Sequence, residues 1–253
     1  MKNILISGIN GFMGREVVNI IENNPDKYTV IAGVDLNANH PKYPVFNSFE
    51  EVEKSEIAGK IDCVIDFSHH SLTKAVCNFA INTNIPVVLA TTGQTEEEKE
   101  YIKAASYSAT IFYSANMALG VALLVNLAKK AAAAFPDADI EIVETHHNRK
   151  IDAPSGTALM IFDGIKEVRP NAVKNEGRSG NAKRQKDEIG INAIRRGNIV
   201  GIHEVIVSTN TQAITLKHEA YTRALFADGA IAACDYIVGK QNGLYNMNTM
   251  VED

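Results

Sequence analysis

Cysteine is scarce in this 253-residue sequence. Cys63, Cys77 and Cys234 are odd in number and include no CxxC pair, which excludes a disulfide framework and a thiol-ligated zinc site. A reducing cytoplasm is the expected home. Long apolar runs are missing too, since the longest, residues 117–125, falls far short of the ~20 residues that span a bilayer. The N-terminus passes from Met1-Lys2 straight into a short strand-like run, with neither the apolar core nor the cleavage pattern of a signal peptide. No membrane partner is expected. An excess of positive charge is equally absent: 25 basic against 30 acidic side chains leave a net charge of -5, no general reason to expect nucleic acid. There is no internal repeat, and the only low-complexity tract is the short helix-forming run 131–134. What remains is 45% hydrophobic and 22% charged, an ordinary globular composition long enough for one large domain or two modest ones.

Short β-branched runs at residues 4–6, 30–34, 63–67, 87–90 and 111–113 alternate with helical patterns at 15–23, 72–82 and 96–106, the last opened by Thr95 as an N-cap. Five strands with helical crossovers predict a Rossmann-like, doubly wound parallel sheet. The pattern changes after Asn116. An apolar helix over 119–135 leads into a strand at 140–143, and residues 189–195, 203–208 and 213–218 read as antiparallel sheet, the last two joined across 209–211. Helix returns at about 223–238. The expected class is α/β, with residues 1–116 and 227–253 as a dinucleotide-binding domain and 117–226 as an α+β substrate and oligomerisation domain carrying a mixed, largely antiparallel sheet.

Directly after the first strand stands Gly8-Ile9-Asn10-Gly11-Phe12-Met13-Gly14, a GxxGxxG turn that leads into a helix. Such glycines permit a tight turn, close approach of backbone to a pyrophosphate and close helix packing. Asp35, at the end of the second strand, stands about twenty positions on, where a carboxylate accepts hydrogen bonds from a ribose diol. A carboxylate repels a 2′-phosphate, and Leu36 adds no cation, so NADH is expected to be usable; His40 and Lys42 leave NADPH open. Ligands of an open α/β sheet bind beyond the carboxyl ends of its strands. The turns there are Ser68-His69-His70, Thr91-Thr92-Gly93 and Ser114-Ala115-Asn116-Met117. His69 and His70 read equally as a solvated loop.

The densest chemistry is ETHHNRKIDAPSGTA, from Glu144 to Ala158. Histidine titrates near neutral pH and can give or take a proton there. Arg149 and Lys150 add fixed positive charge, and Ser155, Gly156 and Thr157 open a helix whose backbone N–H groups suit a carboxylate or phosphate. A small acidic substrate that becomes protonated fits this run; a histidine-rich loop before a capped helix fits it as well. Between Lys174 and Arg196 lie seven basic against three acidic residues, a solvated loop or a basic lid over an anionic site.

With these pieces in place, the chain resembles the bacterial dihydrodipicolinate reductases, now called 4-hydroxy-tetrahydrodipicolinate reductases, over nearly its whole length. The resemblance rests on GINGFMG, Asp66-Phe67-Ser68, Ala90-Thr91-Thr92-Gly93, Ser114-Ala115-Asn116-Met117, the Glu144 to Ala158 run and Arg196-Gly197-Asn198-Ile199-Val200-Gly201. It implies hydride transfer from NADH or NADPH to a cyclic unsaturated imine with two carboxylates, in lysine and diaminopimelate biosynthesis. By the same resemblance His146 is the general acid, Lys150 contacts a substrate carboxylate and assists protonation, and His147 with the Gly156-Thr157 backbone holds carboxylate. Thr92 and Gly93 fall on the nicotinamide side, Ala115, Asn116 and Met117 close the crevice, and Phe67 lies near the cofactor. The family's members are tetramers packed through their substrate domains, so a homotetramer is implied. Two departures stand out: Leu36 replaces the arginine common in NADPH users, and Ile202-His203 replaces Glu-His.

Competing readings differ in the chemistry they need. Homoserine and aspartate dehydrogenases abstract a proton and leave HH-x-x-K before PSGTA without a task. Zinc at His146, His147, His203 and His218 suffers because strand neighbours point to opposite faces. A hydrolase at Ser155 lacks the G-x-S-x-G elbow. A dinucleotide-sensing regulator needs the first domain but neither His146 nor Lys150.

Overall fold

Strands and helices alternate from the N-terminus as the apolar periodicity predicts: β1 (Lys2–Ser7), α1 (Phe12–Glu22), β2 (Tyr28–Val34), β3 (Val45–Phe46), α2 (Phe49–Glu53), β4 (Cys63–Asp66), α3 (Thr73–Thr83), β5 (Val87–Leu89), α4 (Glu96–Ala105) and β6 (Thr110–Tyr113). The structure is a computed structural model describing residues 1–253. The chain then enters α5 (Leu119–Ala134), β7 (Asp139–His146), α6 (Gly156–Val168), β8 (Val173–Glu176), β9 (Glu188–Arg195), β10 (Gly201–Ser208) and β11 (Ala213–Ala220), before α7 (Leu225–Ile237), β12 (Gly243–Tyr245) and α8 (Met247–Glu252). Two units result: Met1–Ala118 with Ala224–Asp253, and Leu119–Arg223. No helix is long and apolar enough to cross a membrane.

The first unit is the doubly wound sheet that the alternation predicts. Its seven strands lie in the order β12-β6-β5-β4-β1-β2-β3, every pairing parallel. Apolar side chains from β1, β2, β4, β5 and β6 meet Phe49, Val76, Phe79 and Ile102 from α2, α3 and α4 in one buried cluster. Fully buried Val and Ile strands are what a parallel sheet covered by helices requires. Sequence turn chemistry sets the ends. Thr95 and Glu98 form a reciprocal capping box on α4, and Asn84 in the left-handed region stops α3. Two strands beyond the predicted five, β3 and β12, are the sheet's edges.

The second unit packs α5 and α6 on a sheet ordered β11-β10-β7-β9-β8. The β10–β11 hairpin and the β10–β7 pair are antiparallel, so the sheet is mixed. One detail departs from the antiparallel reading of residues 189–195: β9 runs parallel to both β7 and β8. Helix α6 and the segment 177–187 each carry the chain back to the starting edge, as parallel strands need crossovers rather than tight hairpins. Alternation along β7 and β10 sends Ile140, Ile142, Val205 and Val207 into the helix-covered core. The same alternation carries Glu144, His146 and His203 to that face.

Candidate active site

The carboxyl ends of β1 and β4 lie side by side where the strand order reverses, the place where open α/β sheets bind ligands. Gly8 follows β1 with φ +77°, and a Cβ there would lie 2.8 Å from the Phe67 carbonyl oxygen beyond β4. Gly14 is tighter still, since a Cβ on it would sit 2.1 Å from the Gly8 carbonyl oxygen. Gly11 caps α1 and places no side chain over its first N–H groups. A close glycine turn on a helix N-terminus fits a dinucleotide pyrophosphate. Asp35 accepts from the Asn10 N–H at 3.0 Å and the Asn37 N–H at 3.1 Å, while Leu36 is 91% exposed. Lys42 pairs with Glu22 at 2.8 Å, and the His40 ring nitrogen takes the N–H groups of Lys42 and Tyr43.

Beside this turn opens a cavity of about 390 Å³ lined by Met13, Phe67, Ala90, Thr91, Thr92, Ala115 and Met117, together with Ser68, His69 and Phe226. Buried Asp66 anchors its floor: the Thr91 hydroxyl donates to it at 2.6 Å and the Ser68 hydroxyl at 2.5 Å. Burial pushes the Asp66 carboxyl up, and those hydrogen bonds oppose the shift. Phe12 is largely exposed at the start of α1, and Gly93 has φ +88° in the turn after Thr92. The Ser114 hydroxyl donates to the Asn116 carbonyl, and the Asn116 side chain accepts from the Ala118 N–H, which shapes the loop that presents Ala115. The rings of His69 and His70 lie 4.2 Å apart, and His70 bonds Glu98 at the start of α4.

In the second unit Glu144, fully buried, gathers donors from three elements. His146 Nδ1 lies 2.5 Å from one carboxylate oxygen; Arg195 donates two bonds, at 2.8 and 2.7 Å; the Ser155 N–H adds one at 3.1 Å. Burial by itself would raise this carboxyl, but hydrogen bonds from His146 and Arg195 outweigh it and hold it at about 2. Ser155 also caps α6 through the Ala158 N–H and shares a 3.2 Å hydrogen bond with His203 Nε2. Burial drives His203 down to about 4, with His146 adding to the effect, so this second imidazole is neutral at physiological pH. The rings of His146 and His203 meet edge to face at 5.1 Å. An imidazole, an ionised carboxylate and an open helix N-terminus therefore share one place; a Cβ at Gly156 would meet nothing within 4 Å.

Comparison with known proteins now decides the family. The family model described as "Dihydrodipicolinate reductase, N-terminus" matches residues 2–117, and "Dihydrodipicolinate reductase, C-terminus" matches residues 120–251. The chain belongs to the dihydrodipicolinate reductase family. It is 43% identical over 256 residues to the 4-hydroxy-tetrahydrodipicolinate reductase of Caldanaerobacter subterraneus subsp. tengcongensis, and 41% identical over 255 residues to that of Clostridium novyi. Both matches cover 100% of this chain and 99% of the relative. Among solved structures, the dipicolinate-bound dihydrodipicolinate reductase from Paenisporosarcina sp. TG-14 has a TM-score of 0.80 at 26% identity, covering 97% of each chain.

The remaining residues of the reductase signature sit around the Glu144 cluster. Lys150 Nζ pairs with Asp152 at 2.8 Å. His147 follows β7, bonds Ile199 through its backbone, and keeps a buried Nδ1 without a partner. Arg149, without a task in the sequence reading, donates to Asn198 at 2.6 Å and ties its loop to the Gly197 turn. The basic run expected as loop or lid folds against its own unit: Lys174, Arg178, Arg184, Lys186 and Arg195 all sit in ion pairs. Glu144, Arg195 and Gly201 are residues that sequence reasoning left without a role. A Cβ on Gly201 would stand 3.1 Å from His146 Nε2, so the glycine keeps that nitrogen clear.

Proposed function

We propose that this member of the reductase family transfers hydride from NADH or NADPH to 4-hydroxy-tetrahydrodipicolinate, or its dehydrated form dihydrodipicolinate, giving tetrahydrodipicolinate for lysine and diaminopimelate biosynthesis in the cytoplasm. The observation that carries the reading is the buried cluster in which His146 is held against ionised Glu144 beside the N-terminus of α6. A bound reduced nicotinamide supplies the hydride. Adding hydride to the conjugated imine leaves an electron-rich enamine, and His146 donates the proton that completes the reduction. Lys150, His147 and the backbone at Ser155, Gly156 and Thr157 receive the substrate's carboxylates, because cations and a helix N-terminus both attract anions.

In this proposal residues 1–116 and 227–253 bind the cofactor. Gly8, Asn10, Gly11, Phe12, Met13 and Gly14 take the pyrophosphate and Asp35 the ribose. Phe67, Ala90, Thr91, Thr92, Gly93, Ser114, Ala115, Asn116 and Met117 line the nicotinamide side. Loss of absorbance at the NADH band with freshly generated dihydrodipicolinate is the test; no oxidation of either dinucleotide overturns the reading. Asp35→Asn keeps an oxygen for one of the Asn10 and Asn37 N–H groups, which bond different oxygens of the carboxylate, while removing the charge that repels a 2′-phosphate. Its kcat/KM ratio for NADPH over NADH is expected to rise about tenfold, or 1.4 kcal/mol. An unchanged ratio removes Asp35 from the ribose site.

Residues 117–226 bind substrate and assemble a homotetramer through the mixed sheet. On the face away from α5 and α6, Ile194 is 42% exposed, and Ile202 and Ile206 are half-buried. An apolar sheet face of this kind is stabilised by a symmetry mate. Sedimentation should give four chains per particle, and a monomer at micromolar concentration would remove the assembly.

A further inference from the structure

Glu144 is an expensive residue to bury, and the general acid alone does not need it so thoroughly partnered. Its carboxylate takes four N–H donors, two of them from one guanidinium. A carboxylate is acceptor-only when ionised, so the proton in the 2.5 Å contact belongs to His146 Nδ1 in both charge states of the imidazole. The neutral ring is therefore the Nδ1–H tautomer, and the proton that comes and goes is the one on Nε2. That nitrogen is the one Gly201 leaves clear.

Arg195 faces the same carboxylate from β9, where it stands in register with His146, and it also donates to the Asp152 carbonyl at 2.7 Å. We infer that Glu144 and Arg195 are positioning residues for proton delivery: Glu144 fixes the proton on Nδ1 so that Nε2 delivers, and Arg195 keeps Glu144 ionised while tempering its pull on the imidazolium. The inference rests on His146 as the proton donor. In the step itself the Nε2–H bond breaks, the substrate carbon gains the proton, the Nε2 lone pair is freed and Glu144 remains a carboxylate; solvent reloads Nε2. An unshielded Glu144 would hold the imidazolium too firmly, and an absent one would leave the ring free to turn or to change tautomer.

The other ionisable groups around His146 are His203 on β10 and His147, Lys150 and Asp152 on the loop after β7. His203 is held neutral by burial, burial likewise lowers His147, and Lys150 and Asp152 pair with each other. Glu144 and Arg195 are then the two charges of opposite sign that bear on His146. Activity that needs protonated His146 falls as pH rises. Glu144→Gln should carry this basic limb to lower pH by about 1 unit or more, and Arg195→Met should carry it to higher pH by a similar amount. Limbs that stay in place, or that move the same way, overturn the inference.

A nitrogen-15 histidine titration of the unaltered protein needs no folded variant. It should show Nδ1 protonated throughout and Nε2 titrating; an Nε2–H neutral tautomer overturns the inference. His146→Gln separates the two levels of argument. If it retains full kcat, the proton-donor reading fails; if it loses kcat while the two limbs do not split, the inference alone fails.

Discussion

His146→Gln is expected to lose about 10² to 10⁴ in kcat, the contribution of a positioned general acid, while its NADH affinity stays nearly unchanged. The separation follows from where the residues stand. His146 ends β7 in the second unit, whereas the glycine turn, Asp35 and the cavity beside them belong to the first. Glutamine is the informative replacement because its amide can still donate to Glu144, so the buried carboxylate is not stranded without a donor from this position. Loss of activity then reports the missing acid rather than a collapsed cluster. Single-turnover oxidation of NADH measures the chemical step, and fluorescence titration measures binding. Equal loss in both would mean that His146 supports the cofactor site, and the assignment of proton donor would fall.

How legible this site is depends on whether a residue's partners are local. The glycine turn, Asp35 and the loops after β4, β5 and β6 follow from periodicity, because a strand–turn–helix unit writes its own spacing into a few dozen residues. Ser155 as a cap is equally local: its hydroxyl accepts from a backbone group three residues on. The Glu144 cluster is different. Alternation alone puts Glu144 and His146 on one face of a strand, but the residues that complete the site, Arg195 and His203, lie 51 and 59 positions beyond Glu144 and meet it through strand register. Register depends on the crossover through α6, and the same misreading that made residues 189–195 antiparallel hid the approach of Arg195. Edge strands are illegible for another reason. β3, β8 and β12 have one neighbour each, are two to four residues long, and need no apolar alternation to be held.

Gly14→Ala should produce a large effect in the first unit, lowering both its stability and its hold on NADH. The added methyl would lie 2.1 Å from the Gly8 carbonyl oxygen and 2.8 Å from the Ile9 Cα, and neither is the yielding tip of a side chain. The Gly8 oxygen already accepts the Gly11 N–H at 2.9 Å, and the Gly11 carbonyl in turn accepts the Arg15 N–H at 3.1 Å. Relieving the overlap therefore displaces the turn and the first turn of α1 together. Overpacking of this kind costs about 1–3 kcal/mol of folding stability. The same displacement moves the N–H groups proposed to hold the pyrophosphate, so the NADH dissociation constant should rise at least about tenfold, the equivalent of 1.4 kcal/mol. Gly59→Ala is the matched control, because a methyl there meets nothing within 4 Å, and both quantities should stay at their wild-type values. Urea denaturation and NADH titration of the two variants test the argument. If Gly14→Ala behaved like Gly59→Ala in both, close packing at the glycine turn would not be what shapes this site.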